Sequence, residues 1–371
     1  MTRGLYVADV EDGLCMAIRT LWDVGIQVDC GSNGGNKKGV AIASRGLLRI
    51  YGSLGSPNVF VLSHFHLDHY SGLFDASLKR RLVPFRISTV HYPRLPDFKE
   101  RMEFFEALEA VSFRVFGAET GVMAYELLEA ISRINGQGFE YEPLSAGDSI
   151  KANGSVFEVL WPPSEISKEE KILTKVRKAL EDFHRAIEKD AETKRLYKRV
   201  RESGLYEKYL KRGTVRKAEE TSEERLEKRE PERKLPDIVK RANDSLRDAA
   251  NHMCLAFFED NRLLFFGDLE KHEIKKIVKE LKSRDKTFFY VLVPPHHGTH
   301  WDDSLEEIRC FYSMSSCGRK LCSKVNPGLK KIAKRPLATC VNGDVTVPVF
   351  QRYAAWGQTP FALWEHLLRA R

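Results

Sequence analysis

Apolar positions in the first part of the chain come in short runs closed by turn residues. Residues 4–8, 25–29, 39–43 and 59–62 are such runs, and each predicts a strand. Gly31-Ser32-Asn33-Gly34-Gly35-Asn36 follows the second run and predicts a loop, because Gly and Asn tolerate the backbone angles of turns. Asp29 and Cys30 therefore fall at a strand end. From about 98 to 135 the spacing becomes helical, with Met102, Phe105, Leu108 and Val111 on one face and Met123, Leu127, Ile131 and Ile134 on the next. Strands return near 148–150 and 156–160, the second leading into Trp161-Pro162-Pro163. The Asn153-Gly154 pair between them is a hairpin signal.

Residues 165–247 break this rhythm. Lys, Arg and Glu dominate, with scattered Leu, Ile, Tyr and Val, which predicts a partly helical insertion interrupted at Gly204, Gly213 and Pro231. Strands resume at 253–258 and 263–266 around an Asp260-Asn261 turn. A helix near 270–282, a strand at 288–293 and a helix-strand-helix-strand run ending at 345–349 complete the pattern. Interleaved helices and strands predict a layered α/β fold. The expected organisation is a first half at 1–164, the charged helical insertion at 165–247, and a second half with a C-terminal tail at 248–371. In that tail Phe361, Leu363, Trp364 and Leu367 are expected to pack on their own domain.

Composition changes this picture little. With 371 residues, 42% apolar and 30% charged, the chain is globular and long enough for a large core. No apolar run reaches the roughly 20 residues of a membrane span, and the opening Met1-Thr2-Arg3-Gly4-Leu5-Tyr6-Val7 lacks the core of a secretory signal, so a cytoplasmic protein without membrane contact is expected. Seven cysteines, an odd number spread from Cys15 to Cys340, predict reduced thiols. Cys310, Cys317, Cys322 and Cys340 lack the close Cys-x-x-Cys spacing of structural zinc and are expected to be buried thiols. The net charge of +8 is compatible with a polyanionic partner without selecting one.

Candidate chemistry is concentrated after the strand at 59–62, in His64-Phe65-His66-Leu67-Asp68-His69. Three imidazoles and a carboxylate within six residues offer nitrogen and hard oxygen donors together. On an extended segment alternate side chains point the same way, so His64 and His66 can grip one ion while Asp68 and His69 address a second. The competing reading is a surface cluster of histidines; the apolar strand before it and the Ser71-Gly72 break behind it argue otherwise. Phe265-Phe266-Gly267-Asp268-Leu269-Glu270 places a carboxylate at another strand end, suited to bridging two cations. Val291-Leu292-Val293-Pro294-Pro295-His296-His297-Gly298-Thr299 does the same with imidazoles. A lone Gly-Asp or His-His-Gly is weak; three strand-end donor groups in one chain are not.

These residues resemble the metallo-β-lactamase superfamily, whose signature is His-x-His-x-Asp-His. The resemblance implies an αββα sandwich with metals at one edge of its facing sheets. It implies metal ligation by His64, His66, Asp68, His69 and Asp268, with His296 or His297 as the last His ligand, His296 taken first, and with Asp29 supporting the ligands. The chain is most similar to the metallohydrolase domain of competence-type DNA-uptake proteins, the ComEC-like branch. The shared features are Asn251-His252, Gly267-Asp268-Leu269, His296-His297-Gly298-Thr299, the stretch from Leu144 to Pro162, and Asn342-Gly343-Asp344. The likeness covers about 5–162 and 249–350. No stretch here corresponds to the transmembrane channel of those proteins. Where they carry Gly-His-Pro this chain has Val325-Asn326-Pro327, and either His252 or Asn251 stands at the third-motif position.

The resemblance implies hydrolysis by a hydroxide activated between two divalent ions, zinc in preference to manganese. Asp68 would orient that hydroxide, and His297 or Thr299 would contact the scissile phosphate or protonate the leaving oxygen. A phosphodiesterase or nuclease on DNA or RNA is the expectation, with a small-molecule hydrolase on a cyclic nucleotide or lactone as the alternative. Lys194, Arg195, Lys198, Arg199, Lys211 and Arg212, with Lys208, Arg216 and Lys217 beside them and Tyr197, Tyr206 and Tyr209 interleaved, would suit single-stranded nucleic acid. The bland reading is a solvated helical face, since residues 219–232 restore negative charge. A third reading makes the insertion a docking arm for a protein partner, anchored by Leu205, Tyr209, Leu226 and Ile238.

Overall fold

The computed structural model describes residues 3–20, 24–32, 37–54, 56–78, 85–116, 127–166, 169–216 and 235–349. The chain forms strands β1 (Gly4–Val7), β2 (Cys15–Arg19), β3 (Val24–Cys30), β4 (Val59–Val61), β5 (Thr89–Pro93), β6 (Phe139–Leu144), β7 (Ser149–Ala152), β8 (Ser155–Trp161), β9 (Gly213–Val215), β10 (Ala256–Glu259), β11 (Leu263–Phe265), β12 (Phe288–Val293), β13 (Arg309–Ser315), β14 (Ala333–Ala338) and β15 (Val345–Pro348). Its longer helices are α1 (Lys37–Leu54), α2 (Ser71–Leu78), α3 (Arg101–Phe116), α4 (Leu127–Asn135), α5 (Glu170–Lys189), α6 (Ala191–Glu202), α7 (Asp237–Asn251) and α8 (Lys271–Ser283). The strands make two sheets, in the orders β15-β1-β2-β3-β4-β5-β6-β9 and β14-β13-β12-β11-β10-β8-β7. Both are mixed: β3 to β6 run parallel in the first, β11 to β14 in the second, and the remaining neighbours are antiparallel. The chain is thus a mixed α/β protein.

Strand alternation explains where the core sits. Met16 and Ile18 of β2, Val59 and Val61 of β4, Phe157 and Val159 of β8, and Leu263 and Phe265 of β11 share one apolar cluster drawn from both sheets. The alternate residues Cys15, Ala17, Phe60, Leu62, Leu264 and Phe266 belong to a second cluster, which also holds the apolar faces of α3, α5, α7 and α8. Strands β2, β4 and β11 are therefore buried on both sides, one side facing strands and the other facing helices, which is why they read as continuous apolar runs, whereas β8 leaves Val156 exposed.

Most predicted strands are present, and the Asn153-Gly154 turn adopts positive φ at both residues (45° and 81°) as a tight hairpin requires. Residues 39–43 do not form the predicted strand. They lie inside α1, where Ala43, Leu47, Ile50 and Tyr51 recur at helical spacing and are buried; a five-residue apolar run cannot distinguish the two periods. Strands β2, β5, β6 and β9 have no counterpart in the expectations. The helical stretch 98–135 contains α3 and α4, and Met123 lies outside the described residues, as do Asn33 to Asn36, Lys217, residues 219–232 with Leu226 and Pro231, and the tail after Val349.

In the charged stretch, α5 and α7 bury Ile172, Leu173, Val176, Leu180, Phe183, Val239, Ala242 and Leu246 in the helix-side cluster, and β9 pairs antiparallel with β6 at the sheet edge. Its break at Gly204 is a left-handed residue, φ 61°. The expectation of reduced thiols needs one correction: Cys322 and Cys340, with Cα atoms 6.0 Å apart, are disulfide-bonded. Cys15, Cys30, Cys254, Cys310 and Cys317 are free and buried. No helix among the described residues is long and apolar enough to cross a membrane.

Asp344 ties β15 to the start of the chain. Its carboxylate accepts from the Tyr6 hydroxyl (2.6 Å), the Asp9 backbone N–H (2.8 Å) and the Arg49 guanidinium (2.7 and 2.9 Å). Burial works against the charge, but these donors outweigh it and hold the carboxyl below its usual range. A depressed folded-state value contributes stability above the unfolded pKa and loses it as pH falls through the folded one. Asp344→Asn is therefore expected to cost about 1 kcal/mol at neutral pH, the pair being partly exposed, and almost nothing near pH 2. Equal denaturant midpoints for the two proteins at pH 7 would rule this out.

Candidate metal centre

The first donor group is set by how the chain leaves β4. Leu62 N donates to His91 O in the first sheet (2.8 Å), and Ser63 O then accepts from Leu255 N beside β10 (2.8 Å), so the backbone passes from one sheet to the other at Ser63. His64 and His66 follow, and Leu67–His69 forms a 3₁₀ turn ahead of α2. Gly31 packs on this turn. A Cβ there would lie 2.3 Å from the carbonyl of Asp68, so only glycine allows the approach.

Asp29 is placed by a β-bulge. The register of β2 on β3 slips between Cys15 and Met16, leaving Asp29 unpaired with φ 50°. A bulge re-aims its extra side chain. Here the Asp29 carboxylate accepts from Ser63 N (2.7 Å) and Ser63 Oγ (2.5 Å) and stands 2.7 Å from His69 Nδ1, fully buried. The expected supporting role of Asp29 thus has a geometric basis: it fixes the ring whose other nitrogen faces Asp268.

Asp268 follows β11 after Gly267, whose φ of 55° turns the chain into the site. His296 and His297 follow β12, anchored by His296 N donating to Gly267 O (2.9 Å). Both histidines adopt left-handed backbone, φ 47° and 59°. Two consecutive non-glycine residues in that region cost on the order of 1–3 kcal/mol each, a strain that clusters at functional sites. Around Asp268 Oδ2 stand four imidazole nitrogens: His297 Nε2 at 3.5 Å, His69 Nε2 at 3.6 Å, and His64 Nε2 and His296 Nε2 at 3.9 Å. Donors sharing one ion through bonds of about 2.1 Å sit roughly 3.4 Å apart in a tetrahedral shell, so this spacing suits a common cation.

Two overlapping groups have ligand atoms close enough for one ion each: His64, His69 and Asp268; and Asp68, His69 and His297. All five side chains are buried. His66 Nε2, His64 Nε2 and His69 Nε2 are buried without a hydrogen-bond partner, and the His66 ring packs 4.4 Å from that of His64. Burial and neighbouring positive charge drive His64 and His66 well below the usual histidine range, leaving neutral rings with lone pairs to give. Burial also opposes charge on Asp268, but His297, His69, His296 and His64 prevail and keep it ionised. For Asp68, burial is outweighed chiefly by Arg247, and its carboxyl falls to about 2. Burial alone would keep His69 neutral, yet Asp268 and Asp29 on its two nitrogens raise its pKa well above normal.

Other expected residues are placed differently. His252 places its Nδ1 2.8 Å from Glu273 Oε2 of α8, and its buried Nε2 has no hydrogen-bond partner. Asn251 reaches Glu270 Oε1 through its amide (3.2 Å). His296 stands with Glu270 and His300, and the Thr299 hydroxyl donates to His296 O (2.7 Å) within its own turn. Val325-Asn326-Pro327 lies beside that turn, Asn326 N donating to Gly298 O (2.8 Å).

Lys194, Arg195, Lys198, Arg199, Lys211 and Arg212 are all exposed. Arg195 pairs with Glu192, Lys198 with Glu202 and Arg212 with Glu140. Two of the three interleaved aromatic rings expected for base stacking are engaged: Tyr197 packs on Phe183, and Tyr209 is fully buried against Phe65 and Tyr92, while the side chain of Tyr206 lies outside the described residues. Tyr209 is equally unavailable as a docking anchor, and Ile238 is half-buried against the helix-side cluster.

Sequence reasoning missed Arg247, whose Nη2 lies 3.2 Å from both oxygens of Asp68. It is one cation among dozens in a charged stretch, and nothing local marks it. Glu270 and His300 were also missed, although the His296-His297-x-x-His300 spacing was a usable signal. No protein-family model matches the chain, and no curated protein matches it.

Proposed function

We propose that the chain is a metal-dependent hydrolase with the αββα arrangement of the metallo-β-lactamase superfamily, acting on phosphodiesters of DNA or RNA. The observation that carries this reading is the pair of buried, unpartnered nitrogens His64 Nε2 and His69 Nε2, set with His297 Nε2 around an ionised Asp268. Such nitrogens are costly to bury without a partner, and a divalent cation supplies one. His64, His66, His69, Asp68, Asp268 and His297 would hold two ions, zinc before manganese given the excess of imidazole. A pair of divalent ions supplies a nucleophile from water near neutral pH and neutralises charge on the attacked group. Around it, Asp29 fixes the His69 tautomer and Arg247 offers a cation at the open side.

Arg247 favours a phosphodiester over a neutral substrate. Its side chain is 26% exposed, so it meets solvent at one end and Asp68 at the other. Arg247→Ala is expected to lower kcat/KM for a phosphodiester about 10–100-fold, the worth of one charged hydrogen bond, and to leave lactone turnover nearly unchanged. Equal losses on both substrates would show that Arg247 supports the site without reading the anion.

The packing of Tyr197 and Tyr209 favours a second reading, a small phosphodiester such as a cyclic nucleotide, because those two rings are already engaged within the protein and do not offer free faces to the bases of a long strand. Purified protein supplied with zinc or manganese should be offered single- and double-stranded DNA, RNA, bis-p-nitrophenyl phosphate, a cyclic nucleotide and a lactone. Cleavage of the lactone alone would sink the phosphodiester reading. No turnover of any of them would sink hydrolysis altogether.

A further inference from the structure

The His-His pair is not one ligand duplicated. The left-handed backbone at both residues sets the two rings at 71° with centroids 5.8 Å apart. His297 points Nε2 at Asp268 and joins Asp68 and His69. His296 keeps its Nε2 at the margin of that cluster, 3.9 Å from Asp268, and presents Nδ1 on the other side, 3.2 Å from His300 Nδ1. His300 Nδ1 is in turn 3.5 Å from Glu270 Oε2. We propose that Glu270, His296 and His300 hold a divalent transition-metal ion of their own, beside the Asp268 cluster and separate from it.

Two imidazoles and one carboxylate are a donor set for ions of the zinc, manganese and ferrous class. Their spacing matches donors on bonds of about 2.1 Å, which stand roughly 3.4 Å apart in a tetrahedral shell. The three side chains are 21–29% exposed, so further coordination positions open to water or to a substrate oxygen. A second feature points to the same place. Asn251 is 4% exposed, its amide touches Glu270, and its Oδ1 has no hydrogen-bond partner. Asn251 thus sets a buried amide with an unpartnered oxygen next to Glu270, a further oxygen donor beside the carboxylate. The competing arrangement is a hydrogen-bonded trio with His300 Nδ1 donating to Leu269 O at 3.3 Å, which binds no ion. The inference rests on the reading of the Asp268 cluster as metal-binding only in assigning His297 inward.

The test is equilibrium dialysis of the full chain against Zn2+ followed by elemental analysis, on the wild type, His300→Ala, Glu270→Gln, Asp268→Asn and the Asp268→Asn/His300→Ala double variant. Circular dichroism on each sample reports folding, and Glu270→Gln, nearly isosteric, stands in if His300→Ala fails to fold. The expected result is one ion per chain fewer in His300→Ala and in Glu270→Gln than in the wild type. Asp268→Asn should retain an ion that the double variant lacks. Wild-type stoichiometry and affinity in both His300→Ala and Glu270→Gln would overturn the outer site. If Asp268→Asn alone lost metal, the outer site would fall and the Asp268 reading would stand; an Asp268→Asn protein with the wild-type count would overturn the latter and leave the outer site in place.

Discussion

Asp268→Asn is expected to lower kcat/KM for bis-p-nitrophenyl phosphate by about 10³-fold or more, under zinc or manganese, without unfolding the protein. The substitution keeps shape and removes one charge. That charge is the counter-ion for four imidazoles within 3.9 Å and, under the proposed function, a carboxylate that faces histidines of both metal positions. An amide oxygen there would bind a divalent cation far more weakly, and its NH2 group would point at nitrogens that need an acceptor or an ion. A second readout follows from linkage. The raised pKa of His69 depends first on Asp268 and then on Asp29. A raised folded-state value contributes stability that is fully present below the unfolded histidine pKa, near 6.5, and is lost as pH rises through the folded value. With chelator present, the wild type should therefore lose stability on that rise, and Asp268→Asn should show a shallower dependence. Hydrolysis at the wild-type rate by the variant would remove the centre from the reaction.

The strands that carry the centre were legible because the signal is local. Val59 to Leu62 is apolar at every position since alternate residues enter two different clusters, and the donors fall directly after it. The same holds for Phe265 before Asp268 and Val293 before His296. Residues 39–43 misled for a physical reason: Gly, Ala, Val and Ile over five positions fit either period, and only Leu47, Ile50 and Tyr51 beyond them reveal the helix. Tyr209 looked like an exposed aromatic among lysines, yet it fills the core behind Phe65, a contact between residues 144 positions apart in sequence that no local pattern announces. Arg247 was hidden by its neighbours. The division of labour between His296 and His297 depends on two left-handed residues, a backbone in which histidine is enriched but which a single residue type does not announce, least of all twice in a row.

Asp29 offers the other large effect, and it separates building the centre from taking part in the reaction. Its carboxylate accepts three times: from Ser63 N, Ser63 Oγ and, with a proton on Nδ1, from His69. With a metal bound, that proton fixes the tautomer in which His69 Nε2 gives its lone pair to the ion beside Asp268. Asp29→Asn cannot satisfy all three donors. If the amide oxygen faces Ser63 N, the NH2 group faces Ser63 Oγ and His69 Nδ1, and the imidazole must move its proton to Nε2 to accept from it. If the amide is reversed, the NH2 opposes a backbone N–H. Either way a buried group is left without a partner, at a cost of about 1–3 kcal/mol. In the first case the metal-facing lone pair is lost as well. Zinc affinity, measured by competition with a chromophoric chelator, is expected to fall about 10–100-fold, as for other partners that orient metal-binding histidines. Because Asp29 touches His69 and Ser63 but lies outside the cluster of ligand atoms, turnover at saturating zinc should recover most of the wild-type rate. Unchanged zinc affinity in Asp29→Asn would show that the bulge positions Asp29 for folding alone, and a rate that stays low at saturating metal would place the carboxylate in the reaction itself.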